Sequence, residues 1–205
     1  MMKKFLFVLL GTILFSSCLY DAVYILDADE LVWLEPYEKR DTVLFFSEKS
    51  QSMDTMIVYN KTLYNDHHAL FAPNEGTSVY NANGFIESTV FHGTEHCESR
   101  VHINKEKEDL MQVYLEFKER CLMFADEKEL KMQRMVLNGV EYDDAVIVDD
   151  SNSKFLHNAR YYCNYFIWSK SKGLIQYQYM NGDTYIFFKK LPYKKSKETS
   201  QRNRY

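Results

Sequence analysis

The sequence predicts a mainly β protein, with a single antiparallel domain of about ten strands that forms a partial barrel or a sandwich. Two stretches alternate strictly between apolar and polar side chains, and short connections between apolar runs carry glycine or asparagine. No segment sustains the 3.6-residue period of an amphipathic helix. Consecutive strands with short connections pair antiparallel, and such a sheet must curve or fold over to bury one face.

Residues 1–17 have the features of a secretory signal peptide. Lys3 and Lys4 precede an apolar run over residues 5–15, which is shorter than the roughly 20 residues that cross a bilayer. Two serines then precede Cys18. This pattern resembles the lipobox of bacterial lipoproteins, in which the cysteine receives diacylglycerol and becomes the new N-terminus. We therefore expect a lipid on Cys18. The alternative is ordinary signal cleavage and a freely soluble product.

Residues 18–40 are expected to pack on the domain as a lipid-anchored segment. The runs 23–26 and 31–34 are too apolar to remain in water, and Pro36 is expected to end the second run. The domain itself is placed at residues 41–189. A basic tail over residues 190–205 follows it.

The first predicted strands are residues 42–46 and 55–59, with residues 47–54 as a hairpin loop. Residues 60–84 are rich in turn formers and are expected to be a long irregular loop. Alternation then predicts further strands, and shorter apolar runs extend the series: 100–104, 111–118, 121–125, 132–137 and 145–148. A meander of three strands ends the domain, at residues 161–168, 174–179 and 184–188.

Two parts of the chain resemble small β-rich lipoproteins of Bacteroides-type Gram-negative bacteria. The opening is Leu-Glu-Pro-Tyr at 34–37, followed by the strands at 41–45 and 54–58. The closing elements are Asn-Gly-Val-Glu-Tyr at 138–142 and the run 165–175. The resemblance implies a location at the outer membrane of the cell envelope, without indicating which face, and a β-rich fold. It implies no activity. It also implies O-glycosylation acceptors at Thr42 and Thr55.

Charge and cysteines limit the possible partners. The net charge is −4, and residues 189–205 hold seven Lys or Arg against one Glu, so the body of the domain is acidic. Nucleic acid is therefore excluded, because phosphate binding needs a basic surface. Cys97, Cys121 and Cys163 remain after lipidation of Cys18; one disulfide with three possible pairings, or buried free thiols, are both open.

No motif for a cofactor, a metal or catalysis is present: the chain lacks GxSxG, HExxH, P-loop and GxGxxG patterns. His92 and His96 are the best metal candidates, but Gly93 prevents a shared helix face, so we expect turn histidines and no metal. The carboxylate pairs Asp143–Asp144 and Asp149–Asp150 lack a ligand spacing and are expected to be solvated turn residues.

Aromatic residues crowd the last meander, and half of them should face away from any single core. Five are candidates for a ligand-binding platform: Tyr165, Trp168, Tyr177, Tyr179 and Tyr185. Tyrosine can stack on sugars or fill a groove of a partner. A second buried face, under the packed N-terminal segment, is the alternative explanation and the favoured one.

These observations lead to three hypotheses. The first is a non-enzymatic lipoprotein that is held in the membrane through Cys18 and binds or scaffolds an envelope protein or glycan. The second is a carrier or binder of an apolar or glycan ligand inside a half-barrel. The third, least favoured, is an envelope hydrolase that uses Asp143, Asp144 or His92.

Overall fold

The fold is a single curved sheet of thirteen strands, eleven of which are longer than two residues. The computed structural model describes residues 22–67, 79–107, 110–155 and 163–193. The strands are β1 Ala22–Val23, β2 Thr42–Ser47, β3 Ser52–His67, β4 Val79–His92, β5 Glu95–Lys107, β6 Leu110–Phe117, β7 Arg120–Asp126, β8 Gln133–Leu137, β9 Val140–Val148, β10 Lys154–Phe155, β11 Cys163–Ser169, β12 Gly173–Tyr179 and β13 Thr184–Leu191.

The strands follow one another across the sheet in the order β10-β7-β6-β5-β4-β3-β2-β13-β12-β11-β9-β8. All neighbours on this path are antiparallel. The short β1 pairs with the start of β4 and is parallel to it. The sheet curves into a half-barrel, which confirms the predicted mainly β, antiparallel partial barrel.

Helical structure is limited to short turns in the described parts of the chain. They are helix α1, Ala28–Leu31, and two 3₁₀ turns, Val32–Leu34 and Glu127–Glu129. No helix in these ranges has the length and the apolar content that crossing a bilayer requires.

The prediction of an irregular loop over residues 60–84 is wrong for the residues that the structure describes. β3 continues to His67, and β4 begins at Val79; the remainder, residues 68–78, lies outside the described ranges. Asn83 and Gly84 are turn formers in sequence, but here they pair with β3 on one side and β5 on the other. Gly84 is suited to this strand because a Cβ there would lie 2.4 Å from Leu34 Cδ1.

Other ends of strands and loops differ from the predicted ones by a few residues. The loop predicted at 47–54 is shorter, because β3 already begins at Ser52. β13 extends to Leu191, two residues into the stretch predicted as the basic tail. The three-strand meander at the end of the domain is β11, β12 and β13, paired in that order.

The N-terminal segment fills the concave side of the half-barrel. Trp33, Leu34 and Tyr37 are fully buried within the main core, together with inward-facing residues of β2 to β6 and of the last meander. Trp33 Nε1 donates a hydrogen bond to Glu127 Oε1 at 2.8 Å. Burial of three large side chains from one segment is a substantial apolar contribution, because each fully buried side chain of this kind contributes about 2 kcal/mol or more.

A second, smaller core lies on the other face of the sheet. It consists of Tyr142, Ala145, Ile167 and Ile175, and Tyr165 packs against it. Adjacent residues of one strand point to opposite faces, so Ile167 belongs to this cluster while its neighbour Trp168 belongs to the main core.

Candidate functional site

The five aromatic residues predicted as a ligand platform do not form one. Trp168, Tyr177, Tyr179 and Tyr185 are buried in the main core, and only Tyr165 is partly exposed. These four side chains are therefore not exposed as a platform, and they belong to the main core rather than to the second buried face that was the favoured alternative. The physical reason is that the curved sheet brings other aromatic residues against them: the rings of Phe45 and Phe117 lie 5.3 Å and 4.5 Å from that of Tyr177, centroid to centroid.

Two of these aromatic residues bind a buried carboxylate instead, and a third packs against them. Asp54 on β3 is fully buried, and its Oδ2 accepts hydrogen bonds from the hydroxyls of Tyr177 at 2.6 Å and Tyr179 at 2.7 Å. His92 Nδ1, on β4, lies 2.7 Å from Asp54 Oδ1. Tyr185 stacks on Tyr177 with ring centroids 5.3 Å apart. This polar cluster was not predicted, because its members are far apart in sequence.

The polar cluster links β3, β4 and β12. Burial raises the pKa of Tyr177 and Tyr179, and the neighbouring Asp54 carboxylate raises it further, so both hydroxyls stay protonated donors. Within the described ranges no serine or cysteine is hydrogen-bonded to His92, and the nearby Ser52 hydroxyl bonds to Tyr185 Oη instead.

The other acidic candidates are structural. Asp144 Oδ1 accepts from Ser169 Oγ at 2.6 Å and its Oδ2 accepts from the Ser171 amide at 2.7 Å, which fixes the β11–β12 turn. Asp143 lies 3.4 Å from the guanidinium of Arg134 at the surface. Both residues lie within β9, so the expectation that this pair belongs to a turn is wrong, and each carboxylate has a structural partner.

The remaining candidates also have ordinary partners. Asp149 caps the turn that contains Ser151, and Asp150 pairs with Arg120 at 2.7 Å. The ring of His96 lies against Phe91. Among the described residues no group of three or more His, Cys, Asp or Glu side chains could hold a metal.

An apolar groove of about 770 Å³ at one end of the half-barrel is large enough to hold a ligand. We call it the groove. Four segments line it: residues 35–37, the tip of the β8–β9 hairpin, the β11–β12 turn and the end of β13. Its size is within the range of small-molecule sites, roughly 300–1,000 Å³.

Local sequence explains how these segments are held. Asn138 and Gly139 both have positive φ, at 49° and 76°, and form the tight turn that projects the β8–β9 hairpin. The Asp144 contacts fix the β11–β12 turn opposite it. Tyr37, buried below, accepts a hydrogen bond from the Leu174 amide and holds residues 35–37 against β12.

The chemistry of the groove is apolar with a few charges at the rim. Val140 and Phe188 are exposed side chains that line it. Lys190 Nζ donates to the carbonyl of Pro36 at 2.9 Å, so its ammonium is already engaged. Lys172 is exposed, and no ion pair to it is formed within the described residues. The arrangement suits a molecule with an apolar body and a polar or anionic end.

Sequence reasoning missed the groove, although it quoted two of its lining segments. Residues 34–37 and 138–142 entered it through the resemblance to β-rich lipoproteins. Leu137 and Val140 flank the Asn138-Gly139 turn and line the groove. Single apolar residues beside a turn do not by themselves mark a ligand site, because such residues are common on protein surfaces.

Two predicted modification sites have different outcomes. Cys18 lies outside the described residues. Thr42 and Thr55 are half-buried positions on β2 and β3, paired on both sides, and their glycosylation remains a prediction.

The fold and the groove together define a class of protein: a mainly β half-barrel with an open, apolar groove. Comparisons with protein-family models, with curated proteins and with solved structures each found no match.

Proposed function

We propose that this protein is a lipid-anchored, non-enzymatic binding protein of the bacterial cell envelope whose groove holds an amphipathic small molecule. The observation that carries the binding role is the groove itself, in which exposed apolar side chains converge from separate segments. The support for the anchor is the sequence of residues 1–18, with its basic start, short apolar run and lipobox-like cysteine.

The groove favours an apolar body over a glycan. Val140, Phe187 and Phe188 offer aliphatic and aromatic surface, whereas sugar recognition needs convergent hydrogen-bonding groups around an aromatic face. Lys172 at the rim is the cation that suits a carboxylate or a phosphate at the end of the ligand. A fatty acid or a related acidic lipid has this combination.

Ligand binding can be tested with a fluorescent anionic probe that brightens in apolar surroundings, such as an anilinonaphthalene sulfonate. The variant Val140→Glu places a charge in the groove and is expected to weaken binding about tenfold or more. Val136→Glu is the matched control, because Val136 is on the same hairpin and 63% exposed against 51% for Val140, yet does not line the groove. Equal affinities of both variants and the wild type would reject the groove as the site.

The natural ligand can be sought directly. Protein purified from membranes of its host is extracted with organic solvent, and the extract is analysed by mass spectrometry. We expect an acidic lipid that copurifies with the wild type and with Val136→Glu and is depleted in Val140→Glu. Equal recovery from all three proteins would mean that the lipid comes from residual membrane.

The anchor requires a separate measurement. Intact mass of the mature protein is expected to correspond to a chain that begins at Cys18 and carries acyl chains, and Cys18→Ala is expected to abolish that addition. Two or more acyl chains give stable membrane attachment, because each buried methylene contributes about 0.8 kcal/mol. An unmodified chain released into the medium would contradict the proposal.

A further inference from the structure

An exposed apolar patch lies where the N-terminal segment joins the sheet. Ile25, Leu63 and Tyr64 surround a shallow apolar depression of about 210 Å³, with Leu26 and Leu31 at its base. Ile25 is 73% and Leu63 is 54% exposed. Isolated exposed apolar residues are ordinary on protein surfaces, but a contiguous cluster of this kind marks a contact surface. We call these residues the entry patch.

The entry patch is held in place by polar contacts around it. Asn65 Nδ2 donates to the carbonyl of Tyr24 at 2.8 Å, which ties the N-terminal segment to β3. Lys105, buried on β5, places its ammonium 3.1 Å from Asp27 and 3.0 Å from Glu30. The single positive charge of Lys105 offsets one of these two carboxylates, so the three groups together carry a net charge of −1 beside the patch.

We propose that the entry patch lies against the surface of the lipid bilayer and inserts its apolar side chains into the interface. This inference rests on the proposed lipid anchor. Cys18 precedes Ala22 by four residues, and four residues span at most about 14 Å. Acyl chains on Cys18 therefore bring the bilayer within that distance of β1, which pairs with β4 beside the patch. A bilayer interface accepts aliphatic and tyrosine side chains together.

The same placement brings the groove close to the membrane. The segment from Leu31 to Pro36 runs from the entry patch to the groove, since Leu31 lines one and Pro36 lines the other. With a helical rise of about 1.5–2 Å per residue, this segment covers roughly 10 Å.

The test uses the full lipidated protein, reconstituted in vesicles of zwitterionic phosphatidylcholine. Ile25→Cys and Leu63→Cys carry an environment-sensitive nitrobenzoxadiazole label. Met180→Cys is the matched control, because Met180 is 61% exposed and follows β12 at the end opposite to the groove. We expect emission at positions 25 and 63 to shift to shorter wavelength and to be quenched by nitroxide-labelled lipid, with neither effect at position 180.

Each other outcome overturns the inference and identifies the reason. If the intact mass shows acyl chains on Cys18 while both labels remain in water, the anchor stands and the patch does not touch the membrane. If both labels are already shielded in the Cys18→Ser protein without vesicles, the chain itself covers the patch. If Cys18 carries no acyl chain and the protein does not associate with vesicles, both the proposed lipid anchor and the proposed membrane contact of the entry patch are wrong.

Discussion

The hydroxyl of Tyr37 accepts a hydrogen bond from the backbone amide of Leu174 at 2.8 Å, and the two residues are 137 positions apart in sequence. This contact attaches the N-terminal segment to the first residues of β12. Tyr37 also packs edge-on against Trp168, with ring centroids 6.2 Å apart. Residues 35–37, which line the groove, are therefore held to the main core through Tyr37. This contact fixes the wall of the groove that they form.

The close approach of Tyr37 explains why residue 173 is a glycine. Gly173 has φ of +81°, and a Cβ there would lie 2.3 Å from Tyr37 Oη. Gly173→Ala is expected to lower the free energy of unfolding by about 3–5 kcal/mol, from a left-handed backbone and an overlap together. Gly139→Ala is the control, since Gly139 has φ of +76° and open space around it, and should cost only about 1–2 kcal/mol. The free energies of unfolding are measured by urea denaturation. An equal loss for Gly173→Ala and Gly139→Ala would contradict the close approach of Tyr37 to residue 173.

Arg120 holds the end of β9 to the start of β11. It is buried, and it donates from Nε to the carbonyl of Cys163 at 2.9 Å and from Nη1 to Ser153 Oγ at 2.6 Å. Arg120→Met keeps the apolar stem but leaves these acceptors without their donor, and we expect a loss of roughly 3 kcal/mol in the free energy of unfolding.

Arg134→Met provides the comparison for this prediction. Arg134 is exposed and pairs at the surface with Glu141 and Asp143. Its replacement should cost less than about 1 kcal/mol, because surface ion pairs contribute little. The two variants are compared by urea denaturation under the same conditions, and a similar loss for both would show that Arg120 has no special structural role.

Cys97, Cys121 and Cys163 are free thiols, so of the two arrangements left open by the sequence the structure has unpaired cysteines. Burial raises the pKa of Cys97 and Cys163 to about 12, and it raises that of Cys121 as well. Thiolates are the reactive form, so we expect slow reaction with Ellman's reagent in the native protein. Unfolding in guanidinium should make all three thiols reactive in a single step. Fewer than three reactive thiols would indicate a disulfide.

The pH dependence of stability should report on Asp144. Burial alone would raise its pKa, but hydrogen bonds from Ser169 and Ser171 outweigh burial, so its pKa is lowered. A carboxyl whose folded pKa is lowered stabilises the fold at pH values above its unfolded pKa of about 3.9, and this contribution is lost as the pH falls through the folded pKa. Asp144→Asn should therefore lower the Tm at pH 6, and the difference from wild type should shrink below about pH 4.

A control distinguishes Asp144 from general acid effects. Asp143→Asn changes a neighbouring, exposed carboxylate that does not bind the turn. Its Tm should stay close to that of the wild type across the same pH range. A constant difference between Asp144→Asn and wild type from pH 6 to pH 3 would mean that the hydrogen bonds do not depend on the charge.

Local patterns in the sequence were sufficient for most strands and turns. Alternation identified β5 and β6, and Asn138-Gly139 identified the β8–β9 turn, because side-chain direction and positive φ are properties of a few adjacent residues. The same reasoning failed over β4, where Asn83 and Gly84 look like a turn. Pairing with strands on both sides overrode the local preference.

By itself the sequence determined the mainly β class, the antiparallel hairpins and the expectation of an anchor at Cys18. Only the tertiary structure decided that Tyr177, Tyr179 and Tyr185 are buried around Asp54, and that Val140 and Phe188 line an exposed groove. The reason is that an aromatic or aliphatic side chain looks the same in a core and on a binding surface. Its role depends on which distant segment covers it, and that is settled only when the sheet curves around residues 33–37.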